Sequence, residues 1–296
     1  MNIGLYDVDS KIPNLALMKL SQWHKMQGHT TSLFLPLLRS TYDNIYASKI
    51  FKFSHAPHLT DDMVMGGTGI NLTTNLEAEI EKCEPDYALY NFPHNIGFSQ
   101  RGCRFRCGFC VVPEKEGRPK SAFSIEDLWT QRSSDFLWLL DNDFFGNPEW
   151  RERIEEIRHL NLRVSFLQGL NIRIITEEQA AALKSVRFRN KAGTHSICSF
   201  AWDRIRDEKL IKRGIERLQA AGIKTWQMQF FVLIGYDTTK EEDLHRVMWL
   251  KSIGADPFAM PYDKNNAYQK HFCRWVNRRE IFKSCTWEEY RHGSKK

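Results

Sequence analysis

Apolar and polar positions along this chain follow two periods that take turns. The opening NIGLYDV (Asn2–Val8) is a short apolar run ending in acidic residues and predicts a strand. In the NLALMKLSQWHKMQG that follows, Leu15, Met18, Leu20, Trp23 and Met26 lie near one helical face, with Gly28 as the stop. TTSLFLPL and PDYALYNF read as further strands, NLEAEIEKC as a helix between them, and MVMGGTGI as a strand running into a Gly-Gly turn. This alternation over residues 1–93 predicts a small α/β domain built as a doubly wound parallel sheet.

From residue 94 the alternation restarts. Its strands are NIGFSQ, DFLWLLD, LRVSFLQ, THSICSF, KTWQMQFFVLI and DPFAMPY. Helix starts between them are marked by Asn147 with Pro148, by Ser124 with Glu126 and Asp127, and by the capping-box spacings Thr176…Gln179 and Thr239…Glu242. Gly222 and Gly254 stand where helices end. Six βα units are too many for half of a nucleotide-binding fold and too few for an eight-unit barrel. Residues 94–265 therefore predict a partial (βα)6, TIM-like barrel, and residues 266–296 a C-terminal helical tail. In such parallel architectures the working site lies at the carboxyl ends of the strands.

Composition adds limits. At 296 residues, 42% hydrophobic and 26% charged, the chain is an ordinary globular sequence with enough material for a full core. No apolar run approaches the roughly 20 residues of a membrane span, and no secretory signal opens the chain, which predicts a cytoplasmic protein without membrane partners. A net charge of +6 is compatible with an acidic partner such as RNA without requiring one. In a reducing compartment, closely spaced thiols point to metal rather than disulfides.

Three of the seven cysteines, Cys103, Cys107 and Cys110, fall within RGCRFRCGFCVVP, just past the first strand of the second block. Structural zinc takes four protein ligands, often as two Cys-x-x-Cys pairs, and no second pair exists here. An iron–sulfur cluster normally has four cysteines; held by three, it presents one iron with an open position. The neighbouring Arg101, Arg104 and Arg106 offset the negative charge of thiolates and sulfides. Zinc remains the rival occupant.

CRFRCGFC in this setting resembles the cluster loop of the radical S-adenosylmethionine (radical SAM) enzymes, over about residues 95–265. The resemblance implies a 4Fe–4S cluster whose unique iron chelates S-adenosylmethionine, and a reductase or flavodoxin-type electron donor. It implies cofactor contacts for Phe109 beside the third cysteine, and for Asn142 and Asp143 in DNDFFGNPEW. In the same way it assigns Gln168, Asn171 and Arg173 in FLQGLNIR, and Ile234 and Gly235 in FFVLIGYDTTKEED. Turn and cap roles account for Asn142 and Asp143 equally well, a strand-to-helix turn on Gly169 for the FLQGLNIR residues, and a buried strand ending in a turn for Ile234 and Gly235.

The first domain resembles the Rossmann-like cobalamin-binding module of some radical SAM branches, on MGGTGI (Met65–Ile70) and on its position. DVDSKIPN lacks the histidine of the Asp-x-His-x-x-Gly ligand motif, so cobalamin stands as a candidate cofactor without an axial histidine. Cys83 alone cannot hold the second cluster of the methylthiotransferases, although CGFCVVPEKEG resembles their signature with Glu116 in place of arginine. Asp7 and Asp9 are strand-end acids, available to a ligand or to solvent. Cys198 is either a hydrogen donor or a packed core thiol. The tail interleaves basic and aromatic residues, which suits RNA contact or an amphipathic helix packed on the barrel. Overall the sequence predicts a radical SAM enzyme of undetermined substrate, with a cobalamin-assisted methylase as the leading variant; the alternatives are a cobalamin-free radical SAM enzyme acting on RNA or a small molecule, and a non-catalytic zinc- or nucleic-acid-binding protein.

Overall fold

The computed structural model describes residues 1–293. The chain divides into two compact units. One comprises Met1–Gly97, Phe105–Arg118 and Trp129–Ser134; the other comprises Phe98–Arg104, Pro119–Leu128 and the chain from Asp135 onward. Both are mixed α/β with parallel sheets.

In the first unit, β1 (Asn2–Asp7), β2 (Thr30–Leu33), β3 (Asn44–Ser48) and β4 (Val64–Gly66) form an all-parallel sheet of order β2-β1-β3-β4, with α1 (Leu15–Met26) between β1 and β2. Alternation sends Ile3 and Leu5 to one face against Leu17, Leu20 and Ile80, while Ile45, Ala47, Phe34 and Met63 cluster separately with Tyr6 and Tyr42. The buried face of α1 runs through Leu17, Leu20, Ser21 and His24, so Met26, expected on that face, is 67% exposed. The segment PDYALYNF is a 3-10 turn, Tyr87–Tyr90, instead of the expected strand. Its tyrosine is held by a hydrogen bond from Tyr90 Oη to Asp7 Oδ2 (2.7 Å), and NIYAS, not singled out in the sequence, forms the third strand of the sheet. The unit also holds α2 (Ala78–Glu81), β5 (Asn95–Gly97) and α3 (Val112–Lys115). Fully buried Asn95 donates to the carbonyls of Gln131 and Ser134 and accepts from Gln131 N–H.

The second unit begins with β6 (Gln100–Arg101), paired antiparallel to β7 (Lys120–Ser121), and α4 (Ile125–Leu128). It continues through β8 (Phe136–Leu139), α5 (Trp150–His159), β9 (Arg163–Phe166), α6 (Glu177–Ser185), β10 (Arg187–Phe188) and β11 (Cys198–Ala201). Next come α7 (Glu208–Ala220), β12 (Met228–Ile234), α8 (Lys240–Ser252) and β13 (Asp256–Pro261). Strands β8, β9 and β10 pair in parallel, as do β11, β12 and β13, and a parallel bridge from Leu170 to Phe200 joins the two sets. Alternate residues Phe200, Phe230, Val232, Ile234 and Ala259 are fully buried beneath amphipathic helices.

Local signals set the helix boundaries. Thr176 with Gln179 and Thr239 with Glu242 both form reciprocal capping boxes. Asn147 is not the cap of α5 that the sequence predicted: the helix starts at Trp150 with Glu149 at its N-cap position, and the Asn147 side chain instead accepts from Glu149 N–H and Ser121 Oγ and donates to Ser99 O. The tail forms α9 (Ala267–Val276), α10 (Arg279–Ser284) and α11 (Trp287–Gly293), with Phe272, Trp275 and Trp287 packed in one buried aromatic group by edge-to-face and tilted contacts. No helix of the described residues is long and apolar enough to cross a membrane.

Candidate functional site

The three motif cysteines lie between β6 and α3. Cys103 belongs to the second unit, and Cys107 and Cys110 to the first. Cys110 N–H donates to Cys107 O (3.0 Å), closing a tight turn between these two thiols. Cys103 and Cys107 are half-buried and Cys110 is exposed; all seven cysteines carry thiols rather than disulfides. Among the described residues no group of three or more His, Cys, Asp or Glu is gathered as a metal cage. The donor set is soft and sulfur-only, which suits iron–sulfur clusters or zinc and not magnesium or calcium. Phe109 between the last two cysteines is half-buried.

What leads into Cys103 is tightly held by the end of β8. Asp141 is buried; its carboxylate accepts from Ser99 N–H (2.7 Å), Gln100 N–H (3.2 Å) and Ser99 Oγ. Burial pushes this carboxyl up to about 7, against the pull of those donors. Asn142 is half-buried beside it. Asp143, 2% exposed, accepts from Arg104 at three points: backbone N–H (3.2 Å), Nε (2.6 Å) and Nη2 (2.8 Å). Asp143 N–H in turn donates to Gln100 Oε1 (3.0 Å), and Gln100 Nε2 donates to the carbonyls of Arg101 and Gly102. Of the two residues predicted here, Asp143 thus faces Arg104. Asp141 was not singled out in the sequence; its signal was an acid at the end of an all-buried strand.

The remaining predicted residues fall into separate groups. Gln168 is exposed past β9. Asn171 Oδ1 accepts from Arg173 N–H (3.1 Å), and Arg173 pairs with Asp207 (3.1 Å). Asp203, just past β11, was also missed; burial pushes its carboxyl up to about 6 although Arg173 and Arg246 pull it down. Ile234 is fully buried, and Gly235 turns with φ 73° above a buried network. There Arg246, 0% exposed, donates to Trp202 O, Leu233 O (both 2.8 Å) and Asp243 Oδ1 (2.6 Å). Thr238 Oγ1 donates to the same Asp243 oxygen (2.7 Å). Cys198 is buried, and burial raises its thiol pKa. A cavity of about 350 Å³ lies elsewhere, at the amino ends of β12 and β13, lined by His195, Gln229, Asp256, Phe258 and Arg279 and by none of the predicted site residues.

In the first unit the strand-end acids are engaged internally. Asp9 accepts from Ile50 N–H (2.7 Å) and Phe51 N–H (2.9 Å), and Asp7 from Ser10 N–H and Tyr90 Oη. The Gly-rich turn after β4 packs on the chain after β3, with Lys49 N–H to Gly66 O and Gly69 N–H to Lys49 O.

No known family's model matches the chain, and no curated protein matches it.

Proposed function

We propose that this chain is a radical SAM enzyme in which Cys103, Cys107 and Cys110 hold a 4Fe–4S cluster. The observation that carries the reading is the Cys-x-x-x-Cys-x-x-Cys spacing, together with the binding of Ser99–Arg104, the segment that bears the first cysteine, by the acids Asp141 and Asp143 just past β8. Held by these thiols and reduced by an external one-electron donor, such a cluster would supply the electron for reductive cleavage of S-adenosylmethionine. The five parallel strands β8-β9 and β11-β12-β13, joined through the Leu170–Phe200 bridge, support reading the second unit as the greater part of a (βα)6 barrel, while the expected first strand, β5, is grouped with the first unit. The first unit fits a small Rossmann-like domain by its order β2-β1-β3-β4.

This chain's residues have three tasks. The thiols bind, and Asp141 and Asp143 orient the segment that carries the first of them. Around the ends of β11 and β12, the fully buried Arg246–Asp243 pair supplies charges in a poorly hydrated setting, where electrostatic interactions are stronger than in water, beside the half-buried Arg173–Asp207 pair and Asp203. The first unit's acids and glycine turn already have intramolecular partners, so a cobalamin-free enzyme is the variant these contacts favour. The chemistry requires a reducing compartment, in keeping with a cytoplasmic setting.

The test is anaerobic reconstitution with iron and sulfide, reduction, addition of S-adenosylmethionine and assay of 5′-deoxyadenosine. Brown protein that forms it, and loses the activity on Cys103→Ala, Cys107→Ala or Cys110→Ala, supports the reading. Colourless protein holding one zinc and forming none refutes it. Cobalamin retained through purification would restore the methylase variant.

A further inference from the structure

The geometry points to a clamp on Cys103: Arg104 and Asp143, seated over Gly146, are positioning residues that fix the backbone presenting the first cysteine. The inference deepens the iron–sulfur reading and rests on it for its metal readout alone.

Three observations converge. First, Arg104 directly follows Cys103, and its backbone N–H as well as its guanidinium binds Asp143, so the contact fixes the main chain and not merely a side chain. An ion pair of this kind, fork-shaped and with a carboxylate only 2% exposed, is far stiffer than a surface salt bridge. Second, Asp143 is itself held. Its N–H donates to Gln100 Oε1, while Gln100 Nε2 donates to the carbonyls of Arg101 and Gly102 on the near side of Cys103. The cysteine is therefore bracketed: Gly102 before it and Arg104 after it are both tied to Asp143, one through Gln100 and one directly. Third, the space for the pair exists because residue 146 is glycine. A Cβ there would stand 2.7 Å from Asp143 Cγ and 2.9 Å from Arg104 Nε. Gly146 N–H donates to Asp143 O (2.7 Å), closing the turn that brings the glycine under the carboxylate.

These contacts give Asp143 a task other than touching a cofactor. Asp141, two residues earlier, holds Ser99 and the backbone N–H of Gln100, so the two acids bind different atoms of one segment. Because Gly146 carries no polar side chain, replacing it disturbs the pair without removing either charge.

The experiment uses the full chain without metal, under anaerobic conditions. Pulsed iodoacetamide labelling with mass spectrometry reads the alkylation rate of Cys103, with Cys110 as internal reference. Asp143→Asn and Gly146→Ala should each raise the Cys103 rate by about fivefold or more while Cys110 changes little, since the Cys103 backbone then opens locally more often. Arg104→Lys, which keeps the charge but loses the fork, should fall between these and the parent. After reconstitution with ferrous iron and sulfide, the same two variants should lose iron to a chelator about tenfold faster. Parental Cys103 alkylation in both variants, with parental circular dichroism, overturns the clamp. If the parent takes up no iron yet the alkylation differences appear, the clamp stands and the radical SAM reading falls.

Discussion

Arg246 lies wholly inside the second unit, and its replacement tests how that unit tolerates a buried charge. The guanidinium makes three hydrogen bonds, to Trp202 O, Leu233 O and Asp243 Oδ1. Arg246→Met keeps the length and apolar stem but leaves two carbonyls without this donor and Asp243, 1% exposed at its side chain, without its counter-charge. Breaking a buried pair from one side costs about 3–5 kcal/mol. For a unit of this size 1 kcal/mol corresponds to roughly 2–4 °C, so a fall of about 6–20 °C is expected in its melting temperature. The double variant Arg246→Met/Asp243→Asn removes the stranded charge and leaves only the carbonyls. It should therefore be about 1–3 kcal/mol more stable than the sum of the two single changes. Tryptophan fluorescence during thermal and urea unfolding is a suitable probe, because Trp202 stands beside the network and its ring meets Trp249 at 5.6 Å. A melting temperature for Arg246→Met within 2 °C of the parent, or strict additivity in the double variant, would refute this account.

Three further outcomes are expected. Gly235→Ala should destabilise the second unit by at least about 1–2 kcal/mol in urea unfolding, since φ is 73° and a Cβ would collide with the Gln269 amide. Asp141 has a folded pKa of about 7, above its ordinary 3.8, so the folded state holds the proton that the unfolded state releases between those values. Its stabilising contribution is complete below about pH 4 and disappears as pH rises through about 7, at up to about 1.4 kcal/mol per pH unit. Asp141→Asn should flatten that part of the stability profile, and an unchanged slope would count against the buried proton. Native-state alkylation should modify exposed Cys110 well before buried Cys198, whose thiol pKa is raised by burial, and equal rates would contradict the packing of β11.

Much of the second unit was legible because its strands are runs of apolar residues bounded by strong caps. DFLWLLD, LRVSFLQ, THSICSF, KTWQMQFFVLI and DPFAMPY all contain strands of the structure, and the two capping boxes form as their spacing requires. The first unit was harder. NIYAS is a short strand of five residues whose only sequence signal is weak alternation, while PDYALYNF has a strand's composition but is turned by contacts from afar. Asp7 on β1 binds Tyr90 across 83 positions, and Ser21 donates to Asp86 across 65, neither of which a local window contains.

The same division holds at the candidate site. Local order alone, through spacing and residue type, places three thiols on one loop, a cluster of arginines around them and acids at the end of the following strand. That much is carried along the backbone, where neighbours cannot escape one another. Which acid meets which base was decided only when the residues just past β8 and the segment around Cys103 came side by side. Arg104 and Asp143 are 39 positions apart, and their contact depends on a glycine whose missing side chain has no pattern to announce it. Burial completes the difference, since the unusual proton affinity of Asp141 and the cost of stranding Arg246 arise from excluding water, which folding does and sequence order does not.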